Sequence, residues 1–122
     1  MIKAAILAML LLTLPGCNPQ SHAKAHGFVY GRLKCAVNVS AYLKRIGRKS
    51  TGSASSASYR ALPRTANPRR YDVVFVDRPG KGGHVMLYWG GGMCLNPREN
   101  RGWRQVPCNQ VWRGRPRSYH RT

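Results

Sequence analysis

Tyr71-Asp72-Val73-Val74-Phe75-Val76 and His84-Val85-Met86-Leu87-Tyr88-Trp89 are two β-branched and aromatic runs separated by the turn-rich Arg78-Pro79-Gly80-Lys81-Gly82-Gly83. Apolar runs bounded by Gly and Pro read as strands, and the short link makes them neighbours in an antiparallel meander. Gly90-Gly91-Gly92 turns the chain again into Met93-Cys94-Leu95, and the stretches around Arg104-Gln105-Val106 and Arg117-Ser118-Tyr119-His120 add edge strands. Upstream the period changes. Ala36, Val39, Leu43 and Ile46 recur at spacings of three and four, Lys44 and Arg45 fall off that stripe, and Gly47 supplies the stop. This predicts an amphipathic helix of about twelve residues beginning near Cys35. A second, short helix is expected within residues 50–62, where Ala54, Ala57, Ala61 and Leu62 fall loosely at helical spacing before Pro63 and Pro68 break it. Helices first and strands after is the order of an α+β domain, not of alternating βαβ units.

The chain has 122 residues, the size of one domain. Its apolar fraction of 43% and aromatic fraction of 9% can supply a core, which excludes wholesale disorder. Set against 21 Lys and Arg there are three acidic residues, and the resulting +18 favours polyanions: nucleic acid, anionic lipid or an acidic wall polymer. Residues 4–14 form an apolar run behind Lys3 that is too short to span a bilayer and has the length of a secretory core. The run ends in Leu14-Pro15-Gly16-Cys17, which resembles a bacterial lipobox. That resemblance implies a signal peptide over residues 1–16, a diacylglycerol on Cys17, and an exported protein anchored in the periplasm or cell envelope. Cleavage after Ala23-Lys24-Ala25 and an uncleaved helix are the alternatives. Residues 17–27 read as a polar tether, in which His22 and His26 lack the third ligand of a metal site. The folded domain is then 28–122.

In an exported protein, cysteine pairing is the default. Cys17 is accounted for by lipid. Cys94 and Cys108 bracket a Gly-, Asn-, Pro- and Arg-rich loop without a core of its own, so they are expected to form a disulfide, leaving Cys35 free. Cys35 falls in the first turn of the predicted helix, where unsatisfied N–H groups and the macrodipole favour a thiolate, with Arg32 and Lys34 adding positive charge. His84, opening a strand after a Gly-rich turn, is the candidate base. On spacing alone, a buried structural Cys and an ordinary strand His explain these two residues as well.

The surrounding residues carry more. Leu33-Lys34-Cys35-Ala36-Val37-Asn38-Val39-Ser40 through Gly47, then Gly52-Ser53-Ala54, then Asp72-Val73-Val74-Phe75-Val76, then Gly82-Gly83-His84-Val85-Met86-Leu87-Tyr88-Trp89-Gly90 resemble NlpC-type and CHAP (cysteine, histidine-dependent amidohydrolase/peptidase) cell-wall hydrolases. The resemblance spans Tyr30 to Asn96. It implies a compact papain-like fold in which an N-terminal helix carrying the nucleophile packs on a small antiparallel sheet. It also implies a third polar residue on the next strand, about twelve positions after the His, and Asn96 stands there; its side-chain carbonyl can accept the imidazole N–H and fix the tautomer. Glu99, the one acidic residue downstream of His84, is the fallback orienter, and a turn residue before Pro97 is the other reading of Asn96. Arg70-Tyr71 replaces the family's usual Pro-Gly, and Ala36 replaces the usual Ser or Thr after the Cys.

The implied activity is hydrolysis of a peptidoglycan amide by a cysteine peptidase or amidase using Cys35, His84 and Asn96, with no cofactor and no metal. Its partners would be a stem peptide, the anionic envelope surface and, through the lipid on Cys17, a membrane; the protein would act as a monomer without nucleic acid. Two other classes remain. One is a cationic module binding an envelope polymer or nucleic acid through Trp103, Trp112 and Tyr119 among interleaved Arg. The other is an inactive hydrolase-fold lipoprotein. Convergence of Cys35, His84 and Asn96 in space is expected of the enzyme and not required of a binder.

Overall fold

The computed structural model describes residues 19–122 apart from positions 79 and 81, so the signal segment 1–16 and Cys17 lie outside the described residues. Helices α1 (Pro19–Ala25) and α2 (Cys35–Arg45) and a 3-10 helix (Ser56–Ala61) come first. Strands β1 (Arg64–Thr65), β2 (Val73–Val76), β3 (His84–Gly90), β4 (Met93–Arg98), β5 (Gly102–Pro107) and β6 (Arg117–His120) follow. They form one sheet in the order β1-β6-β2-β3-β4-β5 with antiparallel pairing throughout. The architecture is α+β, as the order of periodicities predicts. No described helix is long and apolar enough to cross a membrane.

Helix α2 buries Ala36, Val39 and Leu43 completely and leaves Lys44 and Arg45 exposed. Its end is set by Gly47, which takes φ +76 so that its N–H reaches Lys44 O (3.2 Å) and that of Arg48 reaches Leu43 O (2.9 Å). The apolar face lies on Val73, Phe75, Val85, Leu87 and Leu95 of the sheet. Polar residues of α2 are buried as well, each with a partner. Asn38 exchanges two hydrogen bonds with the backbone of Val29 (2.7 and 2.9 Å), and Ser40 Oγ lies 2.7 Å from the Tyr59 hydroxyl. The second predicted helix shrinks to the 3-10 turn at Ser56–Ala61. In the preceding residues Thr51 and Ser53 accept the N–H groups of Ser53 and Ser55, an alternative to helical pairing that Ser and Thr side chains supply.

The other face of the sheet carries Val74, Val76, Met86 and Cys94, and among the described residues it is met by no α-helix, only by a 3-10 turn at Cys108–Gln110. It is covered by the β5–β6 connection, tied down by the Cys94–Cys108 disulfide. Cys35 is the free cysteine among the described residues. The guanidinium of Arg117 fastens the same connection by donating to the carbonyls of Cys108, Val111 (2.9 Å) and Trp112 (3.1 Å). At the opposite end of the domain, Asp72 accepts from the N–H groups of Arg69 (2.8 Å) and Thr122 (3.2 Å), fixing the C-terminal residue to the start of β2.

Two expectations are corrected. Residues 19–25 of the expected tether form helix α1: Ala23 is fully buried, His22 Nδ1 lies 2.6 Å from the Tyr42 hydroxyl, and Gln20 Oε1 accepts the N–H of Gln105 on the outer strand β5 (2.8 Å). A polar sequence docks because its contacts are side-chain hydrogen bonds and the His22 ring around two small buried residues, Pro19 and Ala23, which hydropathy does not register. Trp103, placed on a binding surface only by the alternative cationic-module reading, is 6% exposed and packs between the rings of Phe28 (5.8 Å) and Tyr42 (5.4 Å). Tyr119 is half-buried edge-to-face against Tyr88, which leaves Trp112 exposed of the three.

Closing a loop of this length restricts the unfolded chain by about 3 kcal/mol. The Cys94→Ser/Cys108→Ser double variant should therefore unfold at a midpoint lower by about that free energy, and adding reductant should lower the wild type but not the variant. Equal denaturation curves for the two proteins would show that the covering segment holds without the crosslink.

Candidate active site

Cys35 is the first residue of α2, and Lys34 at the N-cap gives no side-chain cap, so the first-turn N–H groups are left to the site. The approach to it is bent. Leu33 takes φ 57, a left-handed conformation that costs a non-glycine residue on the order of 1 kcal/mol. His84 opens β3, 7% exposed, and Asn96 lies within β4, 6% exposed, rather than in a turn. Leu87 pairs with Leu95 and Tyr88 with Cys94; continuing that register sets Asn96 across from Met86, on the diagonal to His84. The twelve-residue spacing is thus a property of the hairpin. His84 Nε2 lies 2.6 Å from Asn96 Oδ1. An amide oxygen only accepts, so Nε2 carries the proton and Nδ1 is left for the sulfur. The chain bends into His84 through Gly83, at φ +86, where a Cβ would stand 2.4 Å from the Phe75 ring.

Burial pushes the Cys35 thiol up, but the hydrogen bond and charge of His84, the hydroxyl of Ser56 and the N–H of Val85 more than reverse this, and the group falls from about 9 to about 6. The environment therefore favours the Cys35 thiolate at neutral pH. Ser56 is a site residue that sequence reasoning missed: its Oγ is 3.1 Å from Cys35 Sγ and it is 7% exposed. Embedded in the Ser-rich stretch 50–58, it carries no signal that separates it from its neighbours. Glu99, the fallback orienter, is exposed in the β4–β5 turn, where its backbone carbonyl accepts from the N–H of Gly31 (3.1 Å).

Cys35, His84 and Asn96 line a cleft of about 670 Å³ together with Leu33, Trp112, the cations Lys34, Arg78, Arg98 and Arg101, and one acid, Glu99. No group of three or more His, Cys, Asp or Glu among the described residues is arranged to hold a metal. The arrangement brings together in one cleft a sulfur whose ionisation is favoured, an imidazole and the amide oxygen that orients it.

Iodoacetamide labelling of Cys35 should rise through a midpoint near pH 6, because only the thiolate reacts and its fraction grows as pH passes the lowered value. Ser56→Ala removes a donor to the thiolate, so its midpoint should move up and its rate at pH 6 should fall severalfold; an unmoved midpoint would show that the hydroxyl does not stabilise the charge. Gly83→Ala should cost about 2 kcal/mol of stability, because the added methyl must displace the Phe75 ring and residue 83 must hold a positive φ that glycine alone tolerates well. Unchanged thermal unfolding of that variant would refute this. Neither a protein-family model nor any curated protein matches the chain.

Proposed function

We propose that this protein is a cysteine hydrolase of papain-like arrangement that cuts an amide bond in peptidoglycan, as a peptidase or an amidase. The observation that carries this reading is the convergence of Cys35 and His84 on one cleft, with the imidazole Nε2 held by Asn96 Oδ1 at 2.6 Å and the pKa of the Cys35 thiol lowered by its neighbours. A buried structural cysteine needs neither an orienting amide nor a lowered pKa. The Cys94–Cys108 disulfide fits an oxidising compartment and so supports export, with lipid on Cys17 as the anchor.

In the proposed reaction the Cys35 proton has passed to His84, and the thiolate adds to the amide carbonyl carbon. The oxyanion faces the N–H of Cys35. As the C–N bond breaks, His84 returns its proton to the leaving nitrogen, and the amine departs from a thioester. Water then attacks the thioester, its proton passes to His84, and the sulfur leaves as thiolate, releasing a carboxylic acid. Asn96 keeps the ring in one tautomer throughout.

Digestion of purified peptidoglycan, read by mass of the released fragments, tests the reading and identifies the bond. Cys35→Ala and His84→Ala should fall to background, whereas Asn96→Ala keeps both reacting groups and should lose about 10- to 1000-fold. Wild-type digestion by Cys35→Ala would end the cysteine-hydrolase reading.

A further inference from the structure

Arg78 reaches the cleft from the segment after β2, and its Nε is buried without a hydrogen-bond partner among the described residues. Its guanidinium carbon stands 5.5 Å from the centre of the Trp112 ring, within the range of a cation–π contact. A guanidinium stacked on a ring keeps its N–H groups in its own plane, where they can meet an acceptor. Both residues are braced from behind. Trp112, 46% exposed at φ 50, has its carbonyl held by Arg117. Asp77, next to Arg78, is held by Arg115 through its carboxylate (3.1 Å) and its backbone carbonyl (3.2 Å). The ion pairs among the described residues are Asp77–Arg115 and Asp72–Arg121, so Arg78 enters none.

We propose that Arg78, braced on Trp112, is the carboxylate-binding group of the cleft, and that the amide cut there belongs to a residue flanked by a free carboxylate. The proposal rests on the cysteine-hydrolase reading for its substrate, though not for the existence of the subsite. An unpaired guanidinium beside an aromatic face suits a planar carboxylate, which it can grip with two parallel N–H bonds. Arg98 and Arg101 add positive potential around it, opposed by Glu99 alone among the cleft residues.

The test uses two probes that differ only in one charge. Peptide amides identical except for a carboxylate or carboxamide beside the scissile bond should be cleaved with a preference for the carboxylate. Arg78→Gln should lower kcat/KM on the carboxylate peptide by about 10- to 100-fold and leave the carboxamide peptide nearly unchanged. Arg78→Lys, which keeps the charge but not the fork, should fall between them. Independently of turnover, the ratio of Cys35 labelling by iodoacetate to that by iodoacetamide should drop in Arg78→Gln and hold in Arg64→Gln, an exposed position on β1 outside the cleft. A labelling ratio indifferent to Arg78, or equal losses on both peptides, would overturn the proposal while leaving the hydrolase reading intact. A ratio that depends on Arg78 in a protein that cleaves neither peptide would keep the carboxylate site and remove the hydrolase.

Discussion

A sheet with apolar side chains on both faces must cover both, and among the described residues one substantial helix is there for the task. Helix α2 covers the face built on Val73, Phe75, Val85 and Leu87; the other, built on Val74, Val76 and Met86, depends on the Cys108 segment and its bond to Cys94. Through that choice the covering segment also becomes a wall of the cleft, because Gln110, Val111 and Trp112 line it. Burial of the second face and shape of the site are therefore one constraint. A domain of this size has little apolar area to spare, and covalent closure offsets chain entropy that a larger core would otherwise oppose.

The reactive end of the site follows from opposing effects at a single sulfur. Half-buried at the head of α2, Cys35 loses hydration that would favour its charge, yet it meets an imidazole, a hydroxyl and a backbone N–H that favour it more. Those donors come from β3 and from the 3-10 turn, which are far apart in the chain. They are brought to one point by the packing of α2 and by the buried hydroxyl pair of Ser40 and Tyr59 that joins the helix to the turn.

What could be read without coordinates was what repeats locally. The spacing of Ala36, Val39 and Leu43, the strand runs at 73–76 and 84–89, and the Cys94–Cys108 pair each leave a pattern within a short window, and all three appear in the fold. Asn96 was within reach through the family resemblance, which implies a polar residue about twelve positions after the His; the hairpin register supplies the physical reason that this interval becomes a contact. Ser56, the packing of Trp103 and the grip of Arg117 on three carbonyls were not legible, since each depends on elements whose meeting no single window encodes. The docking of α1 was hidden for a related reason: a polar segment looks the same to hydropathy whether water or side chains satisfy it.

Helix α1 has a consequence for how the chain behaves in company. Strand β5 ends the sheet, and its outward N–H at Gln105 is occupied by Gln20 of α1. An unoccupied sheet edge is a template on which another chain can lay a strand. Trimming after Ala25 would remove Gln20, the buried Ala23 and the His22 contact to Tyr42 together, turning a closed border into an adhesive one. The seven residues of α1 thus act as a selvedge: with them in place the woven edge stays finished, and a chain lacking them would present Gln105 to its neighbours.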